Sequence, residues 1–194
     1  MIKIAVLGDI GSGKSYVAKQ FGYPVFDADD EVSKLYKQSR KCYHKLKRKL
    51  PTFITSFPVK KSKLVSAIIA NKDNLKKIIK IVNPLIRKKM NIFLKKNKNK
   101  NKKIIVLDIP LLIENKIYRN NFVLVFVDAR QKEISKRLKK RANFNIKIFN
   151  KLKKLQLPVE TKRKKSDFII KNNFKHDSTK KNVKKILRKI LLNA

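Results

Sequence analysis

Apolar residues in this chain occur in two spacings, and each predicts a kind of element. Short continuous runs read as strands buried on both faces: Ile2-Lys3-Ile4-Ala5-Val6-Leu7, Ile104-Ile105-Val106-Leu107-Asp108 and Phe122-Val123-Leu124-Val125-Phe126-Val127-Asp128. Tyr23-Pro24-Val25-Phe26 and Asp167-Phe168-Ile169-Ile170 read as two shorter strands. Elsewhere the apolar positions recur at helical spacing. Ser15 to Phe21 carries no breaker, and a helix runs from Asp29 or Asp30 through Val32, Leu35 and Tyr36. From Glu31 to about Asn99 the pattern is mostly helical, with a break around Pro51 to Pro58. Leu64, Ala67, Ile68, Leu75, Ile78, Ile79 and Val82 form its core face. Pro84 is placed to begin a helix with Arg87 one turn in, and the Lys/Asn-rich run Lys95 to Lys103 reads as a solvated connection. Further helices are predicted over Gln131 to about Arg141, within residues 143–165, and from Ser178 to Leu192 with Val183, Ile186, Leu187, Ile190 and Leu191 inward.

Strands alternating with helices give an α/β domain, and 194 residues suit one such domain with an inserted piece. The first strand ends in Gly8-Asp9-Ile10-Gly11-Ser12-Gly13-Lys14-Ser15, which fits the phosphate-loop pattern G-x-x-x-x-G-K-[ST] at every fixed position. Strand, glycine loop and helix follow one another, which is the context this chemistry requires. Gly8, Gly11 and Gly13 let backbone N–H groups curl inward onto phosphate oxygens. Lys14 then reaches the β- and γ-phosphates, and the Ser15 hydroxyl holds Mg²⁺. A nucleoside triphosphate is the expected ligand.

Carboxylates are scarce, so their placement is informative. Asp27-Ala28-Asp29-Asp30 follows the second strand, where a carboxylate can orient a substrate hydroxyl or accept its proton. The same aspartates are good helix caps, and both roles fit on different residues. Asp108 ends a strand next to the loop, where it can hold the shell of a Mg²⁺ ion. Arg137 and Arg141 lie one turn apart on one helix face, as a phosphate clamp requires, although two such arginines are ordinary in a basic chain.

That basicity is extreme, with 52 Lys and Arg against 13 Asp and Glu and a formal charge of +39. Nucleic-acid or membrane-surface binding is one reading. The other is compositional bias, favoured because the lysines are spread along the whole chain, few aromatics lie among them, and Asn and Ile are overused too. No specific nucleic-acid partner is therefore expected. No apolar run approaches the length of a membrane span, no signal-peptide pattern precedes the first strand, and the single cysteine, Cys42, has no partner for a disulfide. A cytoplasmic protein is expected. His44 and His176 show no metal-ligand spacing.

In order, Gly8–Ser15, Asp27-Ala28-Asp29, Pro84-Leu85-Ile86-Arg87, Asp108-Ile109-Pro110-Leu111-Leu112-Ile113-Glu114, Arg137 with Arg141, and Gln156-Leu157-Pro158…Lys162-Arg163-Lys164…Asp167-Phe168-Ile169-Ile170…Asn172 resemble the dephospho-CoA kinases over nearly the whole length. Many kinases share the loop, whereas the D-A-D and D-I-P-L-L-x-E segments are far more specific. The resemblance implies a P-loop kinase fold: a parallel sheet between helical layers, with residues 1–30 and 104–194 as nucleotide-binding core, a lid at about 135–160, and residues 31–103 as the helical acceptor-binding insertion. It implies transfer of the ATP γ-phosphoryl group to the ribose 3′-hydroxyl of dephospho-CoA, with Mg²⁺, by a monomer. Asp29 resembles the carboxylate that activates that hydroxyl. Lys14 and the loop residues Gly8, Gly11, Ser12, Gly13, Ser15 and Tyr16 fall on the ATP side, Arg137 and Arg141 in the lid, and Arg87, Leu111 and Glu114 on the dephospho-CoA side. Departures from the family pattern are Asp9 for Gly, Tyr16 for Thr, Asn83 for His, and Asn173-Phe174 where a glycine usually follows the last asparagine. Rival readings are another small-metabolite kinase on this fold, a nucleic-acid-binding P-loop protein, and an inactive homologue.

Overall fold

The continuous apolar runs become strands because each is covered on both faces. A computed structural model describes residues 1–115, 117, 121–140 and 144–193. Its strands are β1 (Ile2–Gly8), β2 (Val25–Asp27), β3 (Ile104–Asp108), β4 (Phe122–Asp128) and β5 (Phe168–Lys171). They form one sheet in the order β2-β3-β1-β4-β5, parallel at every pairing. The helices are α1 (Lys14–Gln20), α2 (Ala28–Gln38), α3 (Arg40–Lys49), α4 (Lys61–Ala70), α5 (Lys72–Asn99), α6 (Gln131–Lys139), α7 (Ile146–Lys153), α8 (Val159–Lys164) and α9 (His176–Leu192).

Alternation along β1 divides the core in two. Ile4 and Val6 point to one face, where Val17 and Ala18 of α1, Phe21 just after it, and Val183 and Ile190 of α9 cover them. Ala5 and Leu7 point to the other, into a cluster shared with Leu35, Leu46, Leu64, Leu75, Ile78 and Val82 from α2 to α5. The central helical stretch is thus continuous with the sheet's own core. Among the described residues no helix is long and apolar enough to cross a membrane.

Several expectations change. Pro84 does not begin a helix; it lies inside α5, on the exposed side. Proline in a helix interior costs about 3 kcal/mol. Opposite it, Leu75, Ile78, Val82, Ile86 and Met90 are buried, and each such burial is worth about 1.5–3 kcal/mol, so packing carries the helix through. The same helix absorbs the start of the Lys/Asn run, ending at Asn99 with Asn97 buried and its Nδ2 donating to Phe93 O at 2.9 Å. The helix cap at the second strand is Asp27, not Asp29 or Asp30: its Oδ1 accepts from Asp30 N at 3.0 Å. Residues 143–165 hold two short helices, α7 and α8, separated by the Gln156-Leu157-Pro158 turn. Leu191 is outward, 49% exposed, although Ile190 beside it is buried at 2%, because successive residues of a helix face different ways. α6 ends at Lys139, and Arg141 lies outside the described residues. The break between α3 and α4 stands where Pro51 to Pro58 put it.

Candidate active site

Five parallel strands bring their carboxyl ends to one edge, and there the candidate chemistry collects. The loop from Gly8 to Ser15 joins β1 to α1, with Gly13 capping the helix at φ 89°. A side chain at Gly13 would be strained at that φ, and its Cβ would stand 2.4 Å from Asn172 Nδ2. Lys14 Nζ folds back on its own loop, donating to Asp9 O at 2.8 Å and Gly8 O at 3.4 Å. Burial lowers the pKa of this ammonium, with Lys162 adding to the effect, while Asp108, Asp29 and Asp9 oppose it. Ser12 Oγ is buried and has no hydrogen-bond partner, a polar atom aimed into the loop without a ligand of its own.

Asp27 and Asp108 are register partners at the adjoining ends of β2 and β3. Burial raises the Asp108 pKa; a hydrogen bond from the Ser15 side chain and the Lys14 charge pull it down, and Asp27 and Asp29 push it up. Asp29, exposed in the first turn of α2, lies within the electrostatic field of both Lys14 and Asp108. Its neighbours are committed elsewhere: Asp27 caps α2, and Asp30 pairs with Lys34 at 2.7 Å. Lys14, Ser15, Asp29 and Asp108 therefore form one constellation of a cation, a hydroxyl and two carboxylates. Ser15 and Asp108 supply hard oxygen donors, the set Mg²⁺ takes when substrate phosphates provide the rest of its shell. No group of three or more His, Cys, Asp or Glu that could hold a metal occurs among the described residues.

Other candidates are dispersed. The Arg137 guanidinium lies 4.5 Å from the ring centroid of Phe174, and that ring approaches Gly13. Phe174 holds φ 62° where the family pattern has glycine, and Asn172 Oδ1 accepts its N–H at 3.0 Å. Arg87 is exposed on α5, and Tyr16 sits edge-on to His176, 6.2 Å between ring centroids. Leu111 is half-buried at φ 60°, and Glu114 Oε1 accepts from Leu157 N at 3.0 Å. Beside the loop a cleft of about 780 Å³, lined by Asp128, Arg130, Asn172 and Lys175 among others, opens at the ends of β4 and β5.

Two residues that the sequence marked only within the family-like tail, with no role given, emerge at the site. Asn172 is buried, and its Nδ2 donates to Ser12 O at 2.8 Å while its Oδ1 accepts from Thr179 Oγ1 at 2.9 Å. Lys162 is 2% exposed, with Nζ 3.5 Å from Gly8 O. A lysine in so basic a chain carries no signal of its own. Asn172, at the end of a strand and two residues before a break, carries a weak one.

The family model of dephospho-CoA kinase matches residues 2–178. The chain belongs to the dephospho-CoA kinase family. It is accordingly a phosphotransferase that uses ATP. Curated dephospho-CoA kinases of Wolbachia pipientis wMel and Bartonella quintana are each 33% identical to it, over 98% of this chain and 99% and 98% of their own lengths. Among solved structures, dephospho-CoA kinase from Campylobacter jejuni aligns with a TM-score of 0.64 at 21% identity, covering 97% of this chain and 96% of that one. Shikimate kinase from Bacteroides thetaiotaomicron aligns with a TM-score of 0.54 at 12% identity, covering 97% and 98%. These place the fold among the P-loop kinases, as the loop motif led one to expect.

Proposed function

We propose that the chain transfers the γ-phosphoryl group of ATP to the ribose 3′-hydroxyl of dephospho-CoA, giving coenzyme A and ADP. The observation that carries this reading is the convergence of Lys14, Ser15, Asp108 and Asp29 at adjoining strand ends. Lys14 leaves the Gly8 and Asp9 carbonyls for the β- and γ-phosphates, while the loop amides hold the remaining oxygens. Ser15 and Asp108 would hold Mg²⁺, which when bound neutralises phosphate charge. Asp29 orients the 3′-hydroxyl and takes its proton as the oxygen attacks the γ-phosphorus and the bond to the bridging oxygen of ADP breaks. Arg137, released from Phe174, and Arg141 supply positive charge as the transferring group passes.

In this reading residues 1–30 and 104–194 form the nucleotide core with a lid at about 135–160. Residues 31–103 form the acceptor side, to which Arg87, Leu111 and Glu114 contribute, and Tyr16 borders the nucleotide. The protein works as a monomer in the cytoplasm, and its surplus positive charge is compositional. ADP release with ATP, Mg²⁺ and dephospho-CoA, against AMP, adenosine and shikimate as acceptors, tests it. Turnover with dephospho-CoA alone is expected. Turnover with another acceptor of the set, or with none, overturns the reading.

A further inference from the structure

Besides Lys14, a second ammonium stands at the phosphate loop. Lys162 is, among the described residues, the lysine that is buried, at 2% exposure. Its Nζ donates to Gly8 O at 3.5 Å and Gln156 Oε1 at 3.3 Å, and lies 4.0 Å from Glu114 Oε1. These partners come from three segments: the loop itself, the stretch after β3, and the turn between α7 and α8. The turn is fixed independently, since Leu157 N donates to Glu114 Oε1 at 3.0 Å. Next to Lys162, Arg163 ties α8 to the end of β4 through Asp128 at 2.9 Å. The helix that carries the ammonium is therefore anchored to the sheet, and the ammonium points the opposite way, at the first carbonyl of the loop.

Stability does not account for a charge here. Taking an ammonium out of water costs several kcal/mol, which only a close, well-formed ion pair returns. The nearest carboxylate is at the limit of pairing distance, and the Lys14 charge opposes this one. Gly8 O meanwhile has two lysine donors, Lys14 at 3.4 Å and Lys162 at 3.5 Å. When Lys14 turns to a nucleotide, Lys162 is the donor that stays.

We propose that Lys162 is a positioning residue for phosphoryl transfer: it keeps the Gly8 peptide oriented when Lys14 moves to the phosphates, and links the α7–α8 turn to the loop. It acts through the loop and the turn, so its loss slows transfer more than it weakens ATP binding. The inference rests on the transfer reading above.

Lys162→Met keeps the length of the side chain and removes the charge. Replacing a buried charge by an apolar residue of similar volume is often neutral or stabilising, so the melting temperature is expected to hold within about 3 °C. The expected kinetic signature is a fall in kcat of roughly tenfold or more with the KM for ATP moved less than about threefold. Should that variant not fold, Gln156→Ala, which spares the ammonium and removes its hydrogen bond to the turn, is expected to lower kcat severalfold with the same unmoved KM. Undiminished kcat in the folded variant overturns the inference. So does a loss that merely follows a fallen melting temperature, since that marks a structural role. Wild type measured alongside separates the two claims: inactivity on dephospho-CoA sinks both, whereas an active wild type beside an undiminished variant sinks this inference alone.

Discussion

Asn172→Ala removes the side chain that braces the phosphate loop from behind. In the folded protein its Nδ2 donates to Ser12 O at 2.8 Å, and its Oδ1 accepts from Phe174 N at 3.0 Å and Thr179 Oγ1 at 2.9 Å. The residue is 3% exposed and Thr179 is fully buried, so water does not readily replace these partners. Leaving a buried polar group unsatisfied costs about 1–3 kcal/mol, and with three partners stranded the loss is roughly 3 kcal/mol even at the low end. For a chain of this size each kcal/mol moves the melting temperature by about 2–4 °C, giving a fall of roughly 6–12 °C. The same change frees the Ser12 peptide and the backbone of Phe174, whose ring lies against Gly13, so the KM for ATP should rise as well. Thermal unfolding followed by circular dichroism, with initial rates at varied ATP, reads both effects. A variant that melts within about 2 °C of wild type with an unmoved KM would refute the bracing role.

Three further perturbations bear on the site and the core. Lys14→Met should lower kcat by roughly 10²-fold or more, because the charge lost is one that meets the transferring phosphoryl group; near-normal turnover in a steady-state assay would remove Lys14 from that role. Asp29→Asn should leave binding of a non-hydrolysable ATP analogue within about threefold while kcat falls at least tenfold; an active variant would shift the role to another carboxylate at the strand ends. Cys42 is buried, and burial pushes its thiol up to about 11 from 9.0, with Lys45 pulling the other way. The raised value means that its neutral form contributes stability present below pH 9.0 and lost as the pH rises towards about 11. Cys42→Ala should therefore flatten the alkaline decline of the melting temperature, and iodoacetamide at neutral pH should label wild type only after unfolding; rapid labelling of the native protein would contradict its burial.

The strand runs were legible because parallel strands buried on both faces leave an unbroken apolar signature, and Ile104–Asp108 and Phe122–Asp128 show it. Gly8 to Ser15 was legible because glycine, lysine and hydroxyl are each demanded at a fixed spacing. What failed to show depended on tertiary contact. Pro84 obeys a local rule that favours helix starts, but the buried stripe from Leu75 to Met90 outweighs it. Asn97 sits in a run that composition marks as solvated, yet its position on the inner side of α5 decides its burial. The three aspartates Asp27, Asp29 and Asp30 look alike in sequence, and only the fold shows Asp27 taking the cap and Asp30 taking Lys34. Lys162 was named only within the family-like tail, and its burial was hidden for a statistical reason as well: one buried lysine does not stand out among 52 lysines and arginines until the fold places it against Gly8.

The measurement closest to the central claim is the identity of the product formed from ATP, Mg²⁺ and dephospho-CoA, read by phosphorus NMR. A new phosphomonoester on the ribose 3′-oxygen, formed in step with ADP, is what the account predicts. ADP released with no phosphate on the acceptor, or phosphate on any other oxygen of it, would contradict the account.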